Sequence, residues 1–456
     1  MPTTSEPDST SSTLAHSITA AHGAARKAAP AANPPPQQAS SGLPSAPTEE
    51  QLASAETPPR FAALRHRNFR LFWFGNLISL FGTLAQQTAQ GWLMRLLTED
   101  PLVITAVAAC GWLPITVLTL YAGVVADRVD KRRAMLVTNG LSAVLALILA
   151  ALVWLDVVQV WHVAAVSLAG GVVLAFDIPA RQSFNVEMVG RDDLPNAIAL
   201  NSTAFNSARV AGPAIGGWLL HTVGRAGCFF VNALSFLPLI AGLLMMRLPQ
   251  PEAPPKDPQS GEFWEGVRFV RGHPTLRLVI LLAAVVSVFG MSFTTLLPVF
   301  AKDVFDTDER GFSLLMTCNG AGALGSALSL AAAGAMRHKG KRLLLGSFLF
   351  CLSVIAFASA SSLSLACFFL VLAGWFLFTF LTTANTMVQT LAPDDLRGRV
   401  FSLYSLALIG TLPLGALLLG GVARVNARFA VQLGAVVAAA FTVWIYLRFR
   451  RLWKEK

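Results

Sequence analysis

Charge is what this chain has least of. Asp, Glu, Lys and Arg make up only 13% of its 456 residues, against 54% hydrophobic, whereas a soluble domain averages about 25% charged. That shortage excludes an ordinary soluble enzyme. Its cysteines are few and unpatterned: Cys110, Cys228, Cys318, Cys351 and Cys367 lie inside apolar runs and form neither a Cys-x-x-Cys nor a Cys/His spacing. No disulfide framework and no metal site are therefore expected. A Gly-x-Ser-x-Gly elbow, a His-Glu-x-x-His pair and an intramembrane pairing of His with Ser or Asp are all missing, and His162 and His221 sit at span ends without an evident partner. An intramembrane enzyme thus has no candidate centre, and without a Gly-x-x-x-x-Gly-Lys-Ser/Thr loop direct ATP hydrolysis has no support. No cofactor is implied.

Residues 1–59 are rich in Ala, Pro, Ser and Thr and nearly devoid of large apolar residues. Such a segment buries too little surface to offset chain entropy and reads as a disordered tail. It has no basic stretch leading into an apolar one, which argues against a cleaved secretory signal. Beyond the tail long uncharged windows take over, and a bilayer core about 30 Å thick needs roughly 20 apolar helical residues to cross. These windows are 71–94, 101–126, 134–155, 157–176, 226–246, 278–301, 311–336, 400–423 and 429–447. Residues 194–224 form another, interrupted only by Arg209, and Leu343–Pro393 is long enough for two crossings broken at the Ser359–Ser364 patch. The expected fold class is an all-α membrane protein with twelve transmembrane helices.

The net charge of +10 is explained by where the cations lie. With both termini cytoplasmic, the 35 Lys and Arg fall on the inner side except for Arg95, Arg225, Lys302, Arg310, Arg424 and Arg428 outside and Arg209 within a span. This is the positive-inside bias. No nucleic-acid partner is implied, because the cations form short caps between spans rather than a basic face with exposed aromatics.

The longest interior polar connection carries Pro249, Pro251, Pro254, Pro255 and Pro258 and divides the spans six and six. The halves echo each other: Asp192-Asp193-Leu194 precedes span five as Asp394-Asp395-Leu396 precedes span eleven, and Arg128, Arg132 and Arg133 after span two have counterparts Arg337, Lys341 and Arg342 after span eight. Parallel repeats of this kind place a substrate site between them near the midplane. The expected organisation is a six-helix bundle over 60–247, a cytoplasmic linker over 248–277, a second six-helix bundle over 278–450, and a cytoplasmic tail over 451–456. In the linker, Phe263, Val267 and Val270 recur at helical spacing beside Trp264, Arg268 and Arg271, as in a helix lying in the interface or a solvated linker helix.

Polar residues on the spans are the functional candidates. Asn76, Ser79, Thr83, Gln86 and Gln90 make a stripe on span one; Ser202, Asn206 and Arg209 repeat it on span five, and Thr379, Thr382, Thr386 and Gln389 on span ten. Such stripes either line a water-filled cavity for a small-molecule substrate or bond helices to one another. Spans three and twelve have almost no polar residues and are expected to face membrane lipid. Arg209 lies near mid-depth, where an ionisable group is expensive and implies a role: attracting an anionic substrate, or pairing with an acid such as Asp177. No Asp or Glu stands in the middle of a span, so Asp177, at the inner end of span four, is the best available proton carrier.

The loop after span two reads Gly123-Val-Val-Ala-Asp127-Arg128-Val-Asp130-Lys131-Arg132-Arg133. It resembles the cytoplasmic signature of the major facilitator superfamily, in which Asp and Arg form a charge relay that locks the outward-facing state; here Asp130 stands where that signature usually has Gly. Gly212-Pro213-Ala-Ile-Gly216-Gly217 resembles the superfamily's antiporter signature, in which Pro bends the helix and the glycines pack tightly against the other half. Phe176-Asp177-Ile178-Pro179-Ala180-Arg181-Gln182 and Asp193-Leu194-Pro195-Asn196-Ala197-Ile198-Ala199-Leu200-Asn201-Ser202, with Gly82-Thr83, Ala89-Gln90, Trp92-Leu93 and Leu297-Pro298-Val299-Phe300, are similar to the transmembrane secretion effector branch, which includes enterobactin-exporter-like and macrolide-efflux-like proteins. The resemblance covers residues 60–450 and excludes the tail. It implies the major facilitator fold and rocker-switch export of a small molecule in exchange for protons across a bacterial inner membrane. It also implies a cytoplasmic gate built from Gly123, Asp127, Arg128, Lys131, Arg132 and Arg133, with Asp177 and Arg181 beside it. Proton-coupled import is the nearest alternative, and a sensor without transport the more distant one.

Overall fold

The computed structural model describes residues 61–190, 192–246, 262–333, 338–393 and 396–449. The tail over 1–59, residues 248–261 of the 248–277 linker, residues 451–456, the surroundings of Gly123 and the side chains of Asp127 and Arg128 lie outside the described residues.

Among the described residues the chain is helical with no strand. After a short turn of 3-10 helix at Ala62–Arg65, α1 spans Arg67–Leu97, α2 Pro101–Arg128, α3 Lys131–Trp154, α4 Val160–Val189, α5 Leu194–Thr222, α6 Gly224–Met245 and α7 Glu262–Gly272. Then follow α8 (Pro274–Val304), α9 (Glu309–Ala333), α10 (Lys339–Ser359), α11 (Leu363–Leu391), α12 (Arg397–Ala423) and α13 (Ala427–Arg448). Ten of these are long and apolar enough to cross a membrane. The two longest helices outside that set, α1 and α5, have ample length but carry the polar stripes, and their polarity keeps them below the apolar threshold. The uncharged stretch over 343–393 breaks into α10 and α11 at residues 360–362, within the expected Ser patch.

Local chemistry sets the boundaries. Asp100, Asp130, Ser362 and Asn426 cap α2, α3, α11 and α13, each side-chain oxygen accepting a backbone N–H of the first turn, which satisfies donors that have no partner inside the helix. At Gly224 φ is +73°, and only a residue without Cβ takes that value cheaply, so α5 turns into α6 with a single residue between them. Asp130 stands in a different backbone region, with φ −60° and ψ 114°, and its carboxylate accepts the Arg133 N–H at 2.7 Å. Here the turn needs negative φ and a capping acceptor, and Asp supplies both where the resemblance would have Gly.

Irregular backbone concentrates in α8, which passes through π-helix at Val286–Gly290, 3-10 helix at Met291–Leu296 and π-helix again at Phe300–Val304. Pro298 removes one N–H from this stretch, and Ser287 and Ser292 answer freed carbonyls, Ser287 donating to Leu408 O at 2.5 Å and Ser292 to Ser287 O at 3.1 Å. Such backbone persists at membrane depth only where protein surrounds it, and Ser287, Ser292, Leu296 and Leu297 are all buried.

The apolar core has two parts. The larger joins both halves of the chain, combining Ala85, Ala89, Trp92 and Ile104 with Phe293, Phe300, Phe312 and Leu419. The smaller, built on Phe69, Phe72, Met135, Phe184, Met188 and Leu239, draws on the N-terminal half alone. α3 exposes Val137, Leu141, Val144 and Ile148, and α13 exposes Leu433, Val436, Trp444 and Leu447, the faces expected to meet lipid. α3 nevertheless keeps Thr138 and Asn139 buried, two polar residues with a partner described below.

Candidate functional site

The described charges sort by end. At the end carrying residues 95–100, three pairs cross between the chain's halves, Arg95 with Asp303, Asp100 with Arg424, and Arg310, which donates to His221 Nε2, while Lys302 pairs with Asp306 within the C-terminal half. Arg424 Nε donates to Asp100 Oδ1 at 2.9 Å, and this guanidinium holds the Asp100 carboxyl below the usual carboxylate range. Behind the pairs the helices approach closely. Trp92 stacks on Phe312 with centroids 6.1 Å apart, and Gly420 lies so near Leu102 and Thr105 that a Cβ would clash. At the opposite end, His66 pairs with Asp193 and Lys131 with Glu187 inside the N-terminal half, while Glu265 of α7 pairs with Arg399 at the start of α12. The halves are thus joined at one end by apolar core and ion pairs, and the named pairs at the other end do not join them.

At that second end the N-terminal half holds a buried charged network. Asp177 on α4 accepts Arg181 Nε at 3.0 Å and Nη2 at 2.8 Å on Oδ2, and Thr138 Oγ1 at 2.7 Å and Asn139 Nδ2 at 3.3 Å on Oδ1. Arg181 Nη1 donates to Asn76 Oδ1, and the guanidinium sits over the Phe72 ring at 5.6 Å. One acid and one base, an i,i+4 pair on α4, therefore tie α1, α3 and α4 together. Both carboxylate oxygens are taken, so the expected option that Arg209 closes a pair with Asp177 does not hold. Thr138 and Asn139 carried no sequence signal of their own, because a Thr-Asn step is common on helices.

The span-one stripe is largely used between helices. Asn76 serves Arg181, Gln86 Oε1 accepts Asn232 Nδ2 at 2.7 Å, and Gln90 Nε2 donates to Ser167 Oγ at 2.8 Å; Ser79 is buried and Thr83 half-buried. On α5, Asn206 donates back to Ser202 O at 2.8 Å, and Ser202 is exposed. Arg209 is half-buried, and its side chain makes no hydrogen bond or ion pair among the described residues. On α11, Thr379 meets Ser326 of α9 at 2.8 Å. Thr386 Oγ1 bonds to Thr382 O at 2.8 Å and Gln389 Nε2 to Asn385 Oδ1 at 2.5 Å, so this face is satisfied along its own helix, and Gln389 is exposed.

Two further expectations change. Of the α5 glycines, Gly212 packs on Leu84 and Gly216 on Ala85 and Thr88 of α1; Gly217, which packs on Ser313 of α9, is the member of the trio that faces the other half. Pro213 frees the Arg209 carbonyl, which the closely packed Gly320 of α9 lies against. Of the gate cations, Arg132 donates to Leu243 O at 2.6 Å and Leu244 O at 2.8 Å at the end of α6, a C-terminal cap rather than a contact between halves. Lys131 likewise stays within its half, and Arg133 is exposed.

Ten described helices long and apolar enough to cross a membrane, with buried polar and charged groups among them, point to a multi-pass membrane protein. The chain belongs to the transmembrane secretion effector family of the major facilitator superfamily, whose model matches residues 58–455. It is 27% identical to the multidrug efflux pump Tap of Mycolicibacterium fortuitum over 76% of this chain and 88% of that protein. It is 23% identical to the staphyloferrin A transporter of Staphylococcus aureus (77% and 88% covered), and 27% identical to the enterobactin exporter EntS of Shigella boydii (66% and 72%). The fold matches an inward-facing, unoccupied bacterial homologue of the lysosomal transporter Spinster (TM-score 0.60, 17% identity, 84% of this chain and 95% of that one). It also matches a POT family transporter in complex with 5-aminolevulinic acid (TM-score 0.67, 12% identity, 84% and 96%). The family and these relatives are transporters, not enzymes.

Proposed function

We propose that the protein is a secondary exporter of a small molecule, moving it across a bacterial inner membrane by alternating access in exchange for protons. Twelve crossings are read as two six-helix bundles, 60–247 and 278–450, with both termini cytoplasmic and α1 and α5 supplying the two polar crossings. Matched packing supports the repeat: α2 lies on α4 as α9 lies on α11, α3 on α6 as α10 on α13, and α5 on α9 as α2 on α12. The observation that carries the reading is the one-sided joining of the halves. Ion pairs and shared core close the end with few cations, while the pairs described above at the cation-rich end do not join the halves, as in a carrier resting open to the cytoplasm. Rocking the halves about their contacts would then expose the same interior alternately.

In this reading the substrate cavity is lined by Ser79, Thr83, Ser202, Asn206, Arg209, Thr382, Thr386 and Gln389, with Asn76, Gln86 and Gln90 as its bonded wall. Among the described residues Arg209 has no counterion, at a depth where an isolated Arg costs about 3 kcal/mol, and an anionic cargo would offset that cost. Asp177 is the proton carrier, and its proton decides whether Arg181 is held. The named activities of the relatives, drug efflux and siderophore export, support cargo of that size class. The test is substrate-dependent proton movement in liposomes holding the purified protein. Cargo efflux should follow an imposed pH gradient, and efflux indifferent to the gradient sinks the coupling. Uptake compared between right-side-out and inverted vesicles decides export against import.

A further inference from the structure

Between α5 and α9, outside the proposed cavity, lies a groove of about 350 Å³. Arg310 and His221, both exposed, stand at its mouth, with Arg310 donating to His221; Asp308 is occupied capping α9 through the Arg310 and Gly311 N–H groups at 3.1 and 3.2 Å. One turn further in, Ser313 is 4% exposed and its hydroxyl has no partner among the described residues, and a turn beyond that the buried Thr317 hydroxyl has none among them either. Buried hydroxyls are ordinarily bonded, commonly to the carbonyl four residues back. The open flank is apolar, with Trp218 64% and Leu314 47% exposed.

Read along α9, the groove presents a cation at its mouth and then an apolar wall, with the Ser313 and Thr317 hydroxyls enclosed beneath it. A diacyl phospholipid has the same order: phosphate, then acyl chain. A tryptophan at the boundary between them is in keeping with its preference for the membrane interface. We infer that the groove binds one anionic phospholipid of the surrounding bilayer, its phosphate on Arg310 and His221 and its chain over Trp218 and Leu314. The inference rests on the proposed crossings of α5 and α9. Because those helices belong to different halves, the bound lipid also braces the closed end.

The experiment uses the full-length protein in phosphatidylcholine vesicles doped at equal mole fraction with brominated phosphatidylglycerol or brominated phosphatidylcholine. The quenching that belongs to Trp218 is the difference between the wild type and Trp218→Phe. Phosphatidylglycerol should show about fivefold stronger apparent binding, the equivalent of about 1 kcal/mol for one cation at an anionic lipid. Arg310→Gln should erase that preference, and Arg310→Lys, which leaves the charge in place, should keep most of it. Equal quenching by the two lipids in the wild type, or a preference that survives Arg310→Gln, overturns the inference. So does loss of the preference on adding millimolar inorganic phosphate, which would mark a free-anion site. Absence of Trp218 quenching by either lipid would instead sink the crossing of α5, and the lipid site with it.

Discussion

Arg181 reaches back one turn along α4 to hold Asp177 through two hydrogen bonds, and the same guanidinium reaches Asn76 on α1. Asp177 is buried and Arg181 half-buried, in the half of the chain that also supplies the smaller apolar core. Two opposite charges in such a place are stable only together. A proton delivered to Asp177 would cancel one of them, releasing Arg181 and loosening α1 from α4.

Asp177→Asn leaves Arg181 without its counter-charge, and removal of one member of a buried pair costs about 3–5 kcal/mol. The thermal midpoint of the purified protein should fall, and Asp177→Asn combined with Arg181→Gln should recover much of the loss. A double variant no more stable than the single one would show that the pair is not a unit.

Arg209→Ala should depress transport of anionic cargo far more than that of neutral cargo, with Arg209→Lys retaining part of the difference. About tenfold would correspond to about 1.4 kcal/mol of lost attraction. Equal losses for both cargo classes would mean that the side chain serves packing.

The pair Asp100 and Arg424 should keep its end of the molecule closed over the whole physiological range. Arg424 lowers the Asp100 pKa, so the stabilisation is present above the unfolded value of about 3.9 and is lost only as pH falls through the still lower folded value. Oxidative cross-linking of Asp100→Cys with Arg424→Cys should arrest transport, and reductant should restore it. Continued transport by the cross-linked protein would contradict a gate at this end.

Gly217→Val places a branched side chain against Ser313, whose Cβ already lies 2.5 Å from where a Cβ on residue 217 would be. Overpacking of this kind costs about 1–3 kcal/mol, and here only in the state with the halves together. Cysteine probes at the 95–100 end should become more reactive, and unchanged reactivity would show that α5 and α9 separate without strain.

Most helices were legible because a membrane imposes a simple demand, a charge-free run long enough to cross, and because Gly, Pro and capping residues mark its ends. The Ser359–Ser364 break and the capping by Asp130 follow from local chemistry of that kind. α1 and α5 show the limit, since the same stripes that suggest a role lower their apolarity. Partner choice was not legible. Asn76, Gln86 and Gln90 sit at equivalent spacing, yet each bonds a different residue on α4 or α6. The irregular course of α8 was hidden for a related reason, since its stability comes from neighbours such as Leu408 that are remote in sequence.

From sequence alone come the membrane, the number of uncharged runs, the side on which cations gather and the family resemblance, all of them consequences of composition and short-range order. Tertiary structure decided which polar groups are spent on one another and which, like Arg209, are left over, and at which end the halves meet. Those outcomes depend on distances between helices far apart in the chain, and helical periodicity assigns a residue to a face without saying what that face will touch.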